Sequence, residues 1–216
     1  KWSTMELLSK EKDVVGIYLS GHPLDDYKIE IDNFCNGNLK MLHNMKKFKE
    51  KSLRLSGVVT DFEHKVTKTG KPFGILQLED YNSTFSFYLF GDDYIKFKAY
   101  FSIGWILYIS GKIKKKFYNE DLEFKISEID LLAEIIDKEV RDLIIKIDIN
   151  DISEGFVHDL TKLVKNSSGK HSLILSVVDP LNKYSVDLLS RKIKVDLDRN
   201  FIEQISSFKQ IRMHIK

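Results

Sequence analysis

Ser20, His22 and the pair Asp25 and Asp26 lie close together in the stretch GIYLSGHPLDDY, residues 16–27. These are the residue types of a nucleophilic triad: a hydroxyl to attack, an imidazole to take its proton and a carboxylate to orient the ring. The spacing argues against that chemistry. Residues two apart in a tight turn point in different directions, and a serine nucleophile needs its base in hydrogen-bond reach and an oxyanion hole beside it. Gly21 offers the left-handed position that ends helices, and Pro23 pre-sets φ for a new start. The stretch therefore reads as a joint between helices, its His22 imidazole bonded to backbone groups freed at the helix end.

A second chemistry needs no reaction. HKVTKTGK (64–71) carries Lys65, Lys68 and Lys71, and KIKKKFYNE (112–120) carries Lys112, Lys114, Lys115 and Lys116 followed by Phe117 and Tyr118. Lysines beside aromatics suit an unpaired nucleic-acid strand, because ammonium groups track phosphates while rings stack on bases that a duplex would hide. The plainer reading of KIKKK is a solvated strand edge that discourages sheet-to-sheet pairing.

The formal charge of +2 is unevenly spread. Residues 46–125 hold 14 Lys and one Arg against ten Asp and Glu, a net +5, whereas 130–216 hold 14 basic and 14 acidic residues. Only the middle of the chain attracts a polyanion, and at +5 with modest, salt-sensitive affinity. Metal-spaced His/Cys clusters, a phosphate-cradling glycine loop and paired carboxylates are not evident, so no catalytic residue, metal or cofactor is assigned.

With 216 residues, 43% hydrophobic and 31% charged, the chain suits two small globular domains. An apolar run of membrane-span length and a secretory h-region are lacking, which predicts a cytoplasmic location without membrane contact. Cys35 is the single cysteine and reads as a small buried hydrophobe. Lys1 stands where an initiator Met is expected, so the chain reads as a piece of something longer.

The periodicity predicts the elements that hold these residues. Apolar positions from Met5 suggest a helix over 11–19, and Leu24, Tyr27, Ile31 and Phe34 share one face of a second over 24–33. From Leu53 the period becomes two. Strands follow at 53–60 and onward, 73–80, 84–90, 105–116 and 122–132, with a short helix near 92–101 between the third and fourth. Five strands in that order make an OB-fold barrel. Beyond it, strands at 142–149, 171–179, 184–189 and 192–197, helices after Ser153 and over 198–207, and a terminal strand at QIRMHI suggest a split βαββαβ-like layer. The fold class is thus mainly β plus α+β: a helical connector (1–45), an OB-fold nucleic-acid-binding domain (46–133) and a small α+β domain (134–216).

Alternation places Leu53, Leu55, Val59, Gly74, Leu76, Leu78, Phe85, Phe87 and Leu89 inward. Arg54, Phe62, Phe73 and Tyr88 then face outward, a bulge permitting, and the three rings form the expected stacking platform. OB barrels bind single strands across strands two and three and between the loops joining strands one to two and four to five. The expected nucleic-acid-binding set is therefore Arg54, Phe62, Lys65, Lys68, Lys71, Phe73, Tyr88, Lys114, Lys115, Lys116, Phe117 and Tyr118.

Gly16, Tyr18, Ser20, Gly21, His22 and Pro23, followed by Lys68, Gly70, Leu78, Asp80 and Phe90, closely resemble the C-terminal region of the bacterial DNA polymerase III alpha subunit, strongly over 11–113 and weakly afterward. The resemblance implies a replication protein whose polymerase body and catalytic carboxylates lie upstream of Lys1. It also implies that the last domain contacts the clamp-loader tau subunit. QISSF (204–208) vaguely resembles a sliding-clamp peptide, although helical spacing of Phe201, Ile205 and Phe208 explains its apolar residues. Two alternatives stand beside single-stranded DNA binding: a pure protein-interaction module, and the anticodon-binding OB appendage of an aminoacyl-tRNA synthetase, against which the Gly-His-Pro segment argues.

Overall fold

The computed structural model describes residues 4–16, 18–116 and 120–216, which divide into two compact units, Lys1–Ile135 and Ile136–Lys216. Among the described residues no helix is long and apolar enough to cross a membrane.

Helix α1 (Thr4–Val15) stops before the expected 11–19 does, because Gly16 rather than Gly21 ends it. Gly16 has φ +86°, and its N–H donates to the Lys12 carbonyl at 2.8 Å. The apolar positions of that stretch do not form one buried stripe: Leu8 is buried, while Leu7, Val14, Val15 and Leu19 are exposed. The expected second helix begins as a 3-10 turn, Asp25–Tyr27, and continues as α2 (Lys28–Phe34). Its predicted face is the one it uses. Leu24, Tyr27, Ile31 and Phe34 pack with Val58, Ile106 and Tyr108. Cys35 joins that cluster, and burial pushes its thiol up to about 11, which leaves it a small hydrophobe rather than a reactive thiolate.

A 3-10 stretch, Leu39–Phe48, then leads into the barrel strands β1 (Ser52–Val66), β2 (Pro72–Glu79) and β3 (Thr84–Phe90). Helix α3 (Gly91–Phe97) separates these from β4 (Ile106–Lys115) and β5 (Leu122–Leu131). The sheet runs β3-β2-β1-β4-β5, each neighbouring pair antiparallel, the order an OB-fold needs. Leu53, Leu55, Val59, Leu76, Leu78, Phe87 and Leu89 fill its core as the alternation predicts, joined by Ile109 of β4.

Two features depart from simple alternation. Register shifts between Val59 and Asp61, so β1 carries a bulge there. Residues 55–59 of β1 are also buried on both faces, because the α2 cluster covers Val58 from outside while Leu55 and Val59 face the core.

Helix α4 (Ile135–Glu139) spans the boundary between the units. Beyond it come β6 (Asp142–Asp148), α5 (Glu154–Asn166), β7 (Ser168–Asp179), β8 (Tyr184–Val195), α6 (Arg199–Ser206) and β9 (Ile211–Ile215). Ser153 Oγ and Asp198 Oδ1 accept N–H groups at the starts of α5 and α6, the caps that fix both helices. The βαββαβ element order is the expected one, but the first unit is not split. β6 and β7 are direct parallel neighbours in a sheet ordered β8-β7-β6-β9, with α5 as the crossover between them. The strands expected at 184–189 and 192–197 are one strand, β8.

Candidate nucleic-acid interface

The joint at residues 18–25 has no triad geometry. The Ser20 hydroxyl donates to Glu11 Oε1, and the Leu19 and Ser20 N–H groups donate to Glu11 Oε2 at 3.0 Å. The hydroxyl of Ser20, first among these donors, holds the Glu11 carboxyl below its usual range. His22 Nδ1 instead accepts the Leu24 N–H at 3.1 Å, a backbone bond at the start of the next element rather than at the helix end. Its ring lies 5.1 Å from Tyr18 and 4.4 Å from Tyr81, and burial lowers its pKa. Asp25 accepts the His22 N–H at 2.6 Å and the Tyr81 hydroxyl at 2.9 Å; the first of these bonds dominates in keeping Asp25 ionised below its usual pKa. Burial and then that hydroxyl bond push the Tyr81 phenol well above its usual range. The serine hydroxyl thus serves Glu11 and the imidazole a backbone N–H, while Asp25 and Tyr81 fasten the connector to the β2–β3 turn.

The same turn is organised by Asp80, buried at 7% exposure. Its carboxylate accepts the N–H groups of Leu39 at 2.6 Å, Asn82 at 2.8 Å and Ser83 at 2.9 Å. That is the physical content of the Leu78-x-Asp80 pattern: one carboxylate ties the β2–β3 turn to the Leu39–Phe48 stretch.

The open face of the barrel is read from its registers. On the outward side of β1, β2 and β3, Lys65 stands opposite Phe73 and Phe73 opposite Phe90; one pleat further, Glu63 faces Ile75 and Ile75 faces Tyr88. Phe73 and Phe90 are stacked, ring centroids 5.0 Å apart and planes 16° from parallel. Phe90 is 53% exposed and Tyr88 60%. Three rings therefore lie across two neighbouring strands, on a face that the connector does not cover.

This platform differs from the expected one in two places. The bulge turns Phe62 inward, where its half-buried ring packs against the core with Phe101 at 6.0 Å, away from the face that carries Phe73 and Tyr88. Phe90 takes its place. Phe90, the last residue of β3, lies two positions beyond Tyr88 on the same face.

The lysines flank the platform unequally. Lys68 and Lys71 are exposed in the β1–β2 turn, where Gly70 at φ +80° closes the loop, and neither has an ion-pair partner among the described residues. Lys65 pairs with Glu63 and Lys115 with Glu120. Lys114 is exposed opposite Glu123. β3 and β5 are not hydrogen-bonded to each other, and the seam between them is a cleft of about 450 Å³ that Lys116 shares with Tyr88 and Phe90. Beside it, Lys115 and Lys116 share a second hollow with Lys46 and Lys49, two basic residues that the sequence reading did not include. Phe117 and Tyr118 lie outside the described residues. Arg54 is exposed on the β4 side of β1, its N–H bonded to Asn36 Oδ1 at 2.7 Å, away from the rings.

Fold and registers together define residues 52–131 as an OB-fold domain, and residues 53–132 match the family model described as "OB-fold nucleic acid binding domain". Residues 143–216 match "DNA polymerase III alpha subunit, C-terminal domain". The DNA polymerase III subunit alpha of Aquifex aeolicus is 26% identical over 204 residues, covering 93% of this chain and 17% of the relative. That of Escherichia coli strain K12 is 28% identical over 160 residues, covering 74% and 14%. The chain resembles the C-terminal region of the DNA polymerase III alpha subunit in both units, including the last domain. It spans about a sixth of the length of the curated relatives it matches.

Proposed function

We propose that this chain is the non-catalytic C-terminal region of a bacterial replicative DNA polymerase, and that its OB domain holds single-stranded DNA. The observation that carries the reading is the stacked Phe73–Phe90 pair with Tyr88 on the uncovered face, beside Lys68 and Lys71, which have no ion-pair partner among the described residues. Bases stack on the rings, and phosphates run along the lysines of the β1–β2 turn and the Lys46, Lys49 and Lys116 side. With little base-edge readout, sequence preference is weak. In the full-length protein the region serves a DNA-directed DNA polymerase, and the second unit docks a replisome protein, for which a clamp-loader tau-like subunit is the partner the resemblance suggests.

One observation favours a module without DNA contact: Lys65, Lys112 and Lys115 each pair with a local carboxylate. Charge reversal separates the readings. Lys68→Glu with Lys71→Glu lowers affinity for an oligothymidylate severalfold and flattens its salt dependence, measured by fluorescence anisotropy at 50 and 200 mM salt. Affinity and salt slope unchanged by the pair would favour the protein-interaction module.

A further inference from the structure

In the second unit, Asp137 of α4, His171 of β7 and Asp196 just beyond β8 each place a ligand atom within 4.8 Å of the other two. The residues are 34 and 25 positions apart, so no sequence spacing marks them, and the sequence reading assigned no metal. A register shift brings them together: both Ser168 and His171 face Val195 across the β7–β8 ladder. Gly169 permits this approach, since a Cβ there would stand 2.6 Å from the Val195 carbonyl carbon.

The imidazole is prepared in a particular way. His171 is 2% exposed, and its Nδ1 lies 3.2 Å from the Val195 carbonyl oxygen. A carbonyl only accepts, so Nδ1 carries the proton of that bond, and Nε2 is the ring atom turned toward the carboxylates, with a lone pair to offer a metal ion in the neutral tautomer. Nε2 is buried, has no hydrogen-bond partner among the described residues, and stands 3.7 Å from Asp137 Oδ1. Asp196 supplies a second carboxylate. Three candidate ligand atoms thus converge, with no hydrogen-bond donor from another residue between them among the described residues. Lys170 Nζ reaches Asp137 Oδ2 at 2.8 Å, which places one positive charge on the far oxygen of that carboxylate and leaves Nε2 unpartnered.

We propose that this cluster binds a divalent transition-metal ion, zinc by its donor set, through His171 Nε2, Asp137 and Asp196, with water completing the coordination. An imidazole nitrogen with carboxylate oxygens is a zinc set, whereas magnesium and calcium favour oxygen alone. A backbone carbonyl on the opposite ring nitrogen is the outer bond that orients metal-binding histidines. Ligand atoms around tetrahedral zinc stand roughly 3.3 Å apart. The 3.7 Å between Nε2 and Asp137 Oδ1 needs only a small closure, and both aspartates are exposed enough to move. The ion would fasten α4 to the bulged end of the β7–β8 ladder.

The competing arrangement is a protonated His171 between the two carboxylates, which needs no metal. The test uses the full chain stripped with chelator, titrated with zinc by calorimetry and with cobalt by visible absorption. One equivalent binds, the cobalt spectrum is tetrahedral, and zinc raises the thermal midpoint by several degrees. Asp137→Asn and Asp196→Asn, checked for an unchanged circular dichroism spectrum, each weaken zinc at least tenfold and abolish the midpoint shift. No uptake by the unaltered chain at micromolar zinc would overturn the proposal in favour of the imidazolium. Equal uptake by the folded double variant would overturn it by placing the ion elsewhere.

Discussion

His22 shows how one ring stabilises a corner and makes it pH-sensitive. Burial between Tyr18 and Tyr81 holds its pKa below the ordinary value of about 6.5. Between the lowered folded value and 6.5 the unfolded chain binds more protons, so stability rises with pH through that window. The contribution is complete above 6.5 and is lost as pH falls toward the folded value. Urea unfolding of the full chain at pH 7 and pH 5.5 should therefore show a lower midpoint at pH 5.5, and His22→Gln should shrink that difference. A difference unaltered by the substitution would detach the ring from the stability of the corner. Residue types and spacing argue against a triad here and favour a backbone bond to the imidazole, which the structure shows from the Leu24 N–H. They did not tell which backbone group supplies it, because Gly16 and Gly21 are equally able to end the helix and only packing chooses between them.

Alternation carries most of what an element reveals in advance, and a bulge is where it stops. The five strands and the inward set of β2 and β3 follow from a period of two, since one face must be buried. Phe62 fails because the extra residue after Val59 reverses the side chains beyond it, and no residue type marks that position. Phe90 follows from the same alternation as Tyr88, two positions further along β3. In the second unit, the single long β8 and the neighbouring β6 and β7 depend on tertiary pairing that no local pattern encodes. Gly74 offers a check on the packing of α3 over the barrel. A Cβ there would meet Tyr94 Cδ2 at 2.8 Å and press on the Phe101 ring, so Gly74→Ala must displace both rings. Overpacking of this kind costs about 1–3 kcal/mol. Thermal denaturation should show a clearly lower midpoint, and an unchanged one would refute the contact.

At the scale of the molecule, what matters is which half of the barrel surface remains open. The connector buries the outward side of β1 against β4 through Leu24, Tyr27 and Ile31, leaving β2 and β3 with exposed rings and loose lysines. An isolated run of charge reads as a solvated edge; beside an uncovered aromatic face the same charge supports the proposed path for a strand of phosphates and bases. Each stacked base contributes about 1–3 kcal/mol, so removing two rings is a large effect even where overall affinity is modest. The most direct measurement is anisotropy of a labelled oligothymidylate and a labelled duplex against the full chain and its Phe73→Ala, Phe90→Ala double variant at low salt. The account predicts preference for the single strand and a loss of at least about tenfold in the folded variant. Equal affinity for the duplex, or a variant that binds as well as the parent, would contradict it.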